Sequence, residues 1–309
     1  MLGQKVQTTD TIVMVSPDFF QYNHETAESN VFAHPFPLAE VTQIARVEFN
    51  QAVAQLKKAG LRVFVLPSPP TFTPDAVFPN NWFTTHTVGP HQSLLVLYPM
   101  FTPNRREERQ LGSLSKLLNK AGVRIERIVD LTAYEKTNQA LEGTGSMVFD
   151  RINQVAYAAI SSRTSARILK DFSKKTGFKI ISFMSIADGQ PIYHTNVMMS
   201  IGKRFVIITA ETISNANERK RVLNHLQQSG RTVIIISTSQ MKAMAGNIIE
   251  LKNKAGESLI VMSKSAFQTF TDHQRDLLQA FGKLIVLELD VIEKIGGGSA
   301  RCMIAEIFS

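Results

Sequence analysis

Along the chain one pattern recurs: an amphipathic stretch of helical spacing, a glycine, and then a short apolar run rich in β-branched residues. Apolar residues three and four apart define one face of a helix, whereas a continuous apolar run of strand length fits a buried strand. The five junctions are Ala59-Gly60 before LRVFVLP, Ala121-Gly122 before VRIERIV, Thr176-Gly177 before FKIISFM, Ser229-Gly230 before RTVIIIS and Phe281-Gly282 before KLIVLEL. Successive glycines are 62, 55, 53 and 52 residues apart. A glycine just past a helix is the expected left-handed stop, because it carries no Cβ penalty there. Upstream of the last one, Phe267, Phe270, Gln274, Leu277 and Phe281 keep helical spacing and predict one helix.

Between each glycine-led strand and the next helix lie two further strand-like pieces. They are NWFTTHTV and SLLVLYP, GSMVFD and VAYAAIS, NVMMSI and RFVIITA, and NIIELK and SLIVMS. The last unit has only CMIAEIF, and TIVMVSP at residues 11–17 has no preceding helix, so that strand is expected to complete it. The prediction is an α/β chain forming a single domain over residues 1–309. Five ββαβ repeats surround a central axis as a pseudo-fivefold β/α propeller, and the N-terminal strand 11–17 closes the ring with the C-terminal unit. A doubly wound nucleotide-binding sheet predicts one strand per helix and G-x-G-x-x-G opening a helix. Here EGTGSMV and GGGSAR both lack the final glycine and lead into strands.

Each repeat places a loop just before its first inner strand. Those loops hold Asn80 and Asn81 (20 and 21 residues after Gly60), Glu142 (20 after Gly122), His194 (17 after Gly177), Asn247 (17 after Gly230) and Cys302 (20 after Gly282). Packed around an axis, the loops converge and bring a thiol, an imidazole and a carboxylate together. A thiol nucleophile needs that set: a base within reach and an acid to orient it. A protonated His194 beside the thiol would lower its pKa and favour the thiolate. His24, His34, His86, His91, His225 and His273 have no comparable placement, and no histidine pair has a metal-ligand spacing, so neither a metal nor another cofactor is expected.

Composition narrows the remaining classes. The chain has 309 residues, a net charge of +8 (34 basic against 26 acidic) and a single cysteine. The basic residues are scattered, and no nucleic-acid-binding motif accompanies them, so a solvated basic surface is expected and no nucleic-acid partner. No apolar run approaches the ~20 residues of a membrane helix, so no membrane partner is expected. MLGQKVQTTD lacks the apolar core of a signal peptide, and a lone cysteine forms no internal disulfide. A cytoplasmic location is therefore expected.

The five-unit plan, together with FPNNW (78–82), LEGTG (141–145), YHTN (193–196) and GGGSARC (296–302), resembles the pentein superfamily of guanidine-modifying enzymes. Its members include arginine deiminase, dimethylarginine dimethylaminohydrolase, agmatine deiminase and glycine amidinotransferase. Within it, ETAESN, PNNWF, LEGTGSMVFDR and RCMIAEIF most resemble the bacterial amidinotransferase-like group called citrulline-utilisation hydrolases. The resemblance spans essentially the whole chain and implies a pentein fold. It implies Cys302 as nucleophile, His194 as acid/base and Glu142 as its carboxylate. Phe78 and Asn81 match the family's F-x-R-D substrate-binding run, with Asn80 in place of Arg and Asn81 in place of Asp. Asn196 matches the Asp of the deiminases' H-x-D. Both guanidinium-gripping carboxylates are thus amides, which implies a preference for a neutral or weakly cationic group, unless Asp75 or Glu25 supplies the charge.

Two further features complete the expectations. Arg163 in SSRTS is a candidate fork for a substrate carboxylate, with a helix-entry or surface role as the alternative. Residues 18–38 form a long irregular segment that could cover the substrate. Trp82 either lines the pocket or belongs to the core. The functional reading is a cofactor-free thiol hydrolase acting on a C–N bond of an arginine-related guanidino or ureido compound. An amidinotransferase using the same adduct and a noncatalytic binding protein of this architecture are the alternatives. The partner is a small arginine-like molecule, and a homodimer is left open.

Overall fold

A computed structural model of the chain describes residues 5–30, 32–35, 40–89 and 92–309. His91 and residues 31 and 36–38 of the irregular segment lie outside the described residues. The strands pair into five three-stranded sheets of one design, plus a two-residue hairpin at Ile186–Ala187 and Gln190–Pro191. In the first sheet, Phe83–Gly89 runs antiparallel to Gln92–Leu97, which runs parallel to Arg124–Asp130. The next three sheets repeat this order, with middle strands Val155–Ala159, Phe205–Ile208 and Ser258–Ser263. In the fifth, Thr11–Val15 lies between Ala305–Ile307, antiparallel, and Arg62–Leu66, parallel. Every middle strand feeds a helix before its parallel partner, as a parallel pair requires.

The middle strands are buried along their length, which is why they read as unbroken apolar runs and not as alternating patterns. Helix Ala166–Thr176 shows how one unit is sealed. It buries Ile168, Leu169 and Phe172 on one face, packed with Phe149, Ala156 and Phe178. Lys174 and Lys175 sit in its last turn, where cations suit the helix dipole, and Gly177 stops it at φ 82°. Emptying the fully buried Phe172 position to alanine would cost about 3–5 kcal/mol.

Two expectations about helix ends are corrected. Gly60, Gly122, Gly177 and Gly230 have positive φ, but Gly282 is extended, at φ −177°. Its lack of a side chain serves close packing instead, since a Cβ there would lie 2.8 Å from the Ser258 carbonyl oxygen. The last apolar stretch is two helices, Lys264–Thr269 and Asp272–Phe281, because Thr271 and Gln274 form a capping box that starts a new helix.

The loops ahead of the inner strands are also more ordered than expected. Three are single helical turns: Pro79–Asn81, Gly143–Ser146 and Thr195–Met198. The second turn packs against both others. Thr195 Oγ1 donates to the Ser146 carbonyl at 2.6 Å and accepts the Ala159 N–H at 2.8 Å, which ties the second unit to the third. Trp82 is core, buried with Phe83, Leu95 and Met100. Among the described residues no helix is long and apolar enough to cross a membrane.

Candidate active site

The helical turns determine which side chains meet. Glu142 and His194 each stand immediately before a turn, Asn81 ends one, and Asn196 lies inside one. Cys302 follows the glycine run, whose lack of side chains lets Phe78 lie against its backbone: a Cβ on Gly296 or Gly298 would come within 2.7–2.8 Å of the Phe78 ring. Cys302, His194 and Glu142 are 3%, 2% and 0% exposed.

His194 Nε2 lies 2.7 Å from Glu142 Oε2. The other carboxylate oxygen accepts the Phe101 N–H at 2.9 Å, and two buried guanidinium groups face Glu142, Arg163 at 3.5 Å and Arg105 at 3.6 Å. Burial alone would raise the Glu142 carboxyl, but Arg163, the His194 bond and Arg105 outweigh it and hold the group well below the usual carboxylate range. Glu142 is therefore an ionised acceptor. Nε2 must carry the imidazole proton, and Nδ1 is left as the base.

Burial lowers His194 to about 4, despite the Glu142 bond. That direction favours the neutral imidazole, with Nδ1 able to accept a proton. Burial likewise raises the Cys302 thiol above its ordinary value. The groups that work against that rise are the Ser299 backbone bond and two amides on the sulfur, Asn247 Nδ2 at 3.2 Å and Asn196 Nδ2 at 3.4 Å. Asn196 stands two residues beyond His194, so the histidine loop lies directly on the nucleophile. Among the described residues its buried Oδ1 has no hydrogen-bond partner.

The other candidates take distinct places. Asn81, with its amide oriented to satisfy its neighbours, accepts from both Arg105 nitrogens at 2.8 and 3.2 Å and donates to Asn80 Oδ1 at 3.2 Å. Asn80 in turn donates to Thr144 Oγ1 at 3.1 Å and braces the first two turns against each other. Arg163 is fully buried, so a surface role does not fit it. It bonds Ser29 Oγ at 2.7 Å and the Thr26 carbonyl at 3.3 Å, and its guanidinium lies over the Tyr193 ring at 4.8 Å. Asp75 is the buried acid of the two alternatives: it accepts from Asn23 at 2.7 Å and lies 3.8 Å from Arg105, whereas Glu25 is held on the surface by the Asn104 N–H.

The described part of the irregular segment closes over this cluster through Asn23, Thr26, Ser29 and Asn30, the last bonded to the Gly296 carbonyl at 3.0 Å. A cavity of 610 Å³ adjoins it, floored by Ile192, Met241 and Met244 and bounded by Phe32, Asp290 and Glu293. None of the Cys302, His194 and Glu142 side chains lines that cavity. The chemistry is located by the buried polar cluster and not by this cavity. Among the described residues no group of His, Cys, Asp and Glu could hold a metal ion.

Sequence reasoning left out Arg105, Glu108 and the role of Asn247. Arg105 is buried against Glu108 at 2.8 Å, and Glu108 is raised by burial to about 7 in spite of that pairing. A run such as NRREER reads as a solvated surface, and only the tertiary packing reveals that its first arginine faces inward.

A small-sheet α/β fold with a buried thiol and a carboxylate-oriented imidazole matches the arrangement that the pentein resemblance implies. The model of the N,N dimethylarginine dimethylhydrolase family, eukaryotic, matches residues 16–309, and the chain belongs to that family. Among solved structures, the chain is similar to the N-terminal domain of ArgZ, a cyanobacterial arginine dihydrolase, with a TM-score of 0.73, 15% identity and coverage of 97% and 98% of the two chains. It spans only 40% of the complete ArgZ chain (TM-score 0.72, 16% identity, 97% of this chain). DDAH from Pseudomonas aeruginosa, solved as a cysteine-to-serine variant with citrulline, aligns over 98% of this chain and 100% of its own at 14% identity and TM-score 0.64. No curated protein matches the chain.

Proposed function

We propose that this protein hydrolyses a C–N bond of an arginine-related guanidino or ureido compound through a covalent adduct on Cys302, without a cofactor. The observation that carries the reading is the buried His194–Glu142 pair at 2.7 Å, whose loop also lays Asn196 on the sulfur of the only cysteine at 3.4 Å. Family membership supports it, and so does the similar ArgZ domain, one structure of which is described as covalently bound to a reaction intermediate.

The steps follow from the protonation states. The thiol proton passes to His194 Nδ1 as the sulfur attacks the central carbon, giving a tetrahedral adduct. The imidazolium, held by Glu142, returns that proton to the departing nitrogen, and an S-linked amidino or carbamoyl intermediate remains. His194 then deprotonates a water, which adds to the same carbon, and the thiol is released. A guanidino substrate leaves as an amine or ammonia plus a ureido product. Acid–base help of this kind is worth roughly 10²–10⁴-fold. The Asn196 Oδ1 supplies an acceptor for a substrate N–H, and Asp75 is a buried carboxyl beside Arg105.

The same reading treats residues 1–309 as one domain, with the five sheets around a pseudo-fivefold axis. Contacts of Ala305–Ile307 with Phe83–Gly89, and of Met199–Ile201 with Val148–Asp150 and Ile249–Lys252, support it. Segment 18–38 acts as the cover over the substrate, and the location is cytoplasmic. The test is a screen of arginine, agmatine, methylated arginines, N-acylarginines and citrulline for ammonia, amine or urea release, with mass spectrometry for an adduct on Cys302. An adduct that yields product only when glycine or ornithine is added would replace hydrolysis by amidino transfer; absence of any adduct would refute the covalent route.

A further inference from the structure

The activity proposed above draws side chains from four of the five repeat loops: Asn81, Glu142, His194 with Asn196, and Cys302. The fourth loop holds Asn247 at the equivalent position, and its side chain is completely buried. Its Nδ2 lies 3.2 Å from Cys302 Sγ and 3.0 Å from the Asn196 carbonyl, so both amide hydrogens have a partner. Its Oδ1 accepts the Cys302 N–H at 3.4 Å. The one amide thus contacts both the sulfur and the backbone of the nucleophile.

The placement is tightly specified. The Asn247 N–H donates to the Met244 carbonyl at 2.9 Å, and its carbonyl accepts from the Arg301 N–H at 3.3 Å. Gly246 brings the loop against the third unit so closely that a Cβ would sit 2.2 Å from the Val197 carbonyl oxygen. The sulfur therefore meets two amide donors from two different loops, Asn247 at 3.2 Å and Asn196 at 3.4 Å.

We propose that Asn247 is a catalytic residue: with Asn196 it forms an amide cradle that stabilises the Cys302 thiolate and aims the sulfur at the electrophilic carbon. Hydrogen bonds donated to a sulfur favour its charged form, and the two amides supply them from fixed positions on two loops. Besides His194, which takes the thiol proton in the proposed reaction, the charged or titratable neighbours of the thiol are Arg301 on its own loop, Tyr193 from the third unit, and Glu293, which acts through Ser299. Arg301 is engaged by Glu306 at 2.8 Å, and Tyr193 donates to the Gly297 carbonyl at 2.8 Å, so neither replaces the amides.

The inference rests on Cys302 being the nucleophile, but its test needs no substrate. Thiolate absorbance near 240 nm and alkylation by iodoacetamide are followed against pH, and the lone cysteine makes both signals unambiguous. Asn247→Ala is expected to raise the thiolate midpoint by about one pH unit and to slow alkylation at fixed pH roughly tenfold. Asn247→Asp should raise it further, because a like charge opposes the thiolate, and Asn247→Ser, which keeps a donor, should fall between Ala and wild type. On a substrate that turns over, kcat should fall while KM changes little. Coincident midpoints in wild type, Ala and Asp would overturn the proposal. Should the Ala variant not fold, an Asp midpoint equal to that of Ser would overturn it equally. Failure of every guanidino substrate with these shifts intact would refute the proposed function and leave the cradle standing.

Discussion

Replacing Glu142 by glutamine tests the protonation logic of the site with the smallest change in shape. The carboxylate oxygen 2.7 Å from His194 Nε2 becomes an amide that presents either a carbonyl or an NH2 group. With NH2 toward the ring, Nε2 must become the acceptor, the proton moves to Nδ1, and the base that should take the thiol proton is lost. Loss of a correctly poised base costs roughly 10²–10⁴ in kcat, which is about 3–5 kcal/mol of barrier. With the carbonyl toward the ring the tautomer survives, but the charge that supports the imidazolium does not, so the loss falls toward the lower end. Stability should also drop. Arg163 and Arg105, both within 3.6 Å of Glu142, lose part of their compensation, and breaking a buried pair costs about 3–5 kcal/mol. Arg105 keeps Glu108 and Arg163 keeps Ser29, so the lower figure is expected. Turnover, urea denaturation and the ¹⁵N shifts of the His194 ring are the measurements. A Glu142→Gln enzyme with more than a tenth of wild-type kcat and an unchanged ring tautomer would refute the reasoning.

The remaining predictions are shorter. Cys302→Ala and Cys302→Ser should abolish turnover and adduct formation while the denaturation midpoint stays close to wild type; turnover by either would end the covalent mechanism. The His194 contribution to stability should fall as the pH is lowered from 6.5 to about 4, because His194 binds its proton in the unfolded chain before it does so in the folded one, while Glu108, raised to about 7, works in the opposite sense. That single group contributes roughly 3 kcal/mol over the window, and urea denaturation of wild type against His194→Gln should show the difference. Gly145→Ala should cut kcat at least tenfold with the fold retained, since a Cβ there meets the His194 ring at 2.8 Å and the Asn81 amide at 2.5 Å; unaltered turnover would show that the ring position is not critical. Asn196→Asp should shift preference from citrulline-like toward arginine-like substrates, whereas Asn81→Asp, facing Arg105, should shift it less. Wild-type turnover of arginine with citrulline untouched would refute this reading of charge.

How much of this was legible in the sequence depends on what kind of signal each residue carries. The repeats were legible because burial on both faces of the middle strands forces unbroken apolar runs, and helix stops place glycines at a regular interval. The meeting of Glu142 and His194 beside the Cys302 loop was legible because repetition converts distance along the chain into neighbourhood in space: Glu142, His194 and Cys302 each follow the glycine of their unit by a similar number of residues. Gly282 shows where that logic fails, since a glycine selected for close packing looks the same in sequence as one selected for positive φ. The split of the last helix at Thr271 was hidden for a related reason. Its capping box interrupts the backbone without interrupting the apolar spacing.

Arg105 and Asn247 mark a different boundary. A buried arginine in NRREER is betrayed only by the carboxylates that other segments bring to it, Glu108, Glu142 and Asp75, and no local pattern encodes that meeting. Asn247 stood in register with the catalytic loops, yet an amide has no reactivity of its own to attract notice. Its meaning depends on what lies 3.2 Å away. The same holds for the two substitutions that set this chain apart from the deiminases. Read alone, Asn81 and Asn196 are equivalent losses of a carboxylate. In the fold they diverge: Asn81 holds the chain's own guanidinium, while Asn196 contacts the nucleophile and has a buried Oδ1 without a partner among the described residues. Under the proposed function, discrimination of the substrate's charge is therefore expected at position 196, and the resident Arg105 makes position 81 the weaker lever.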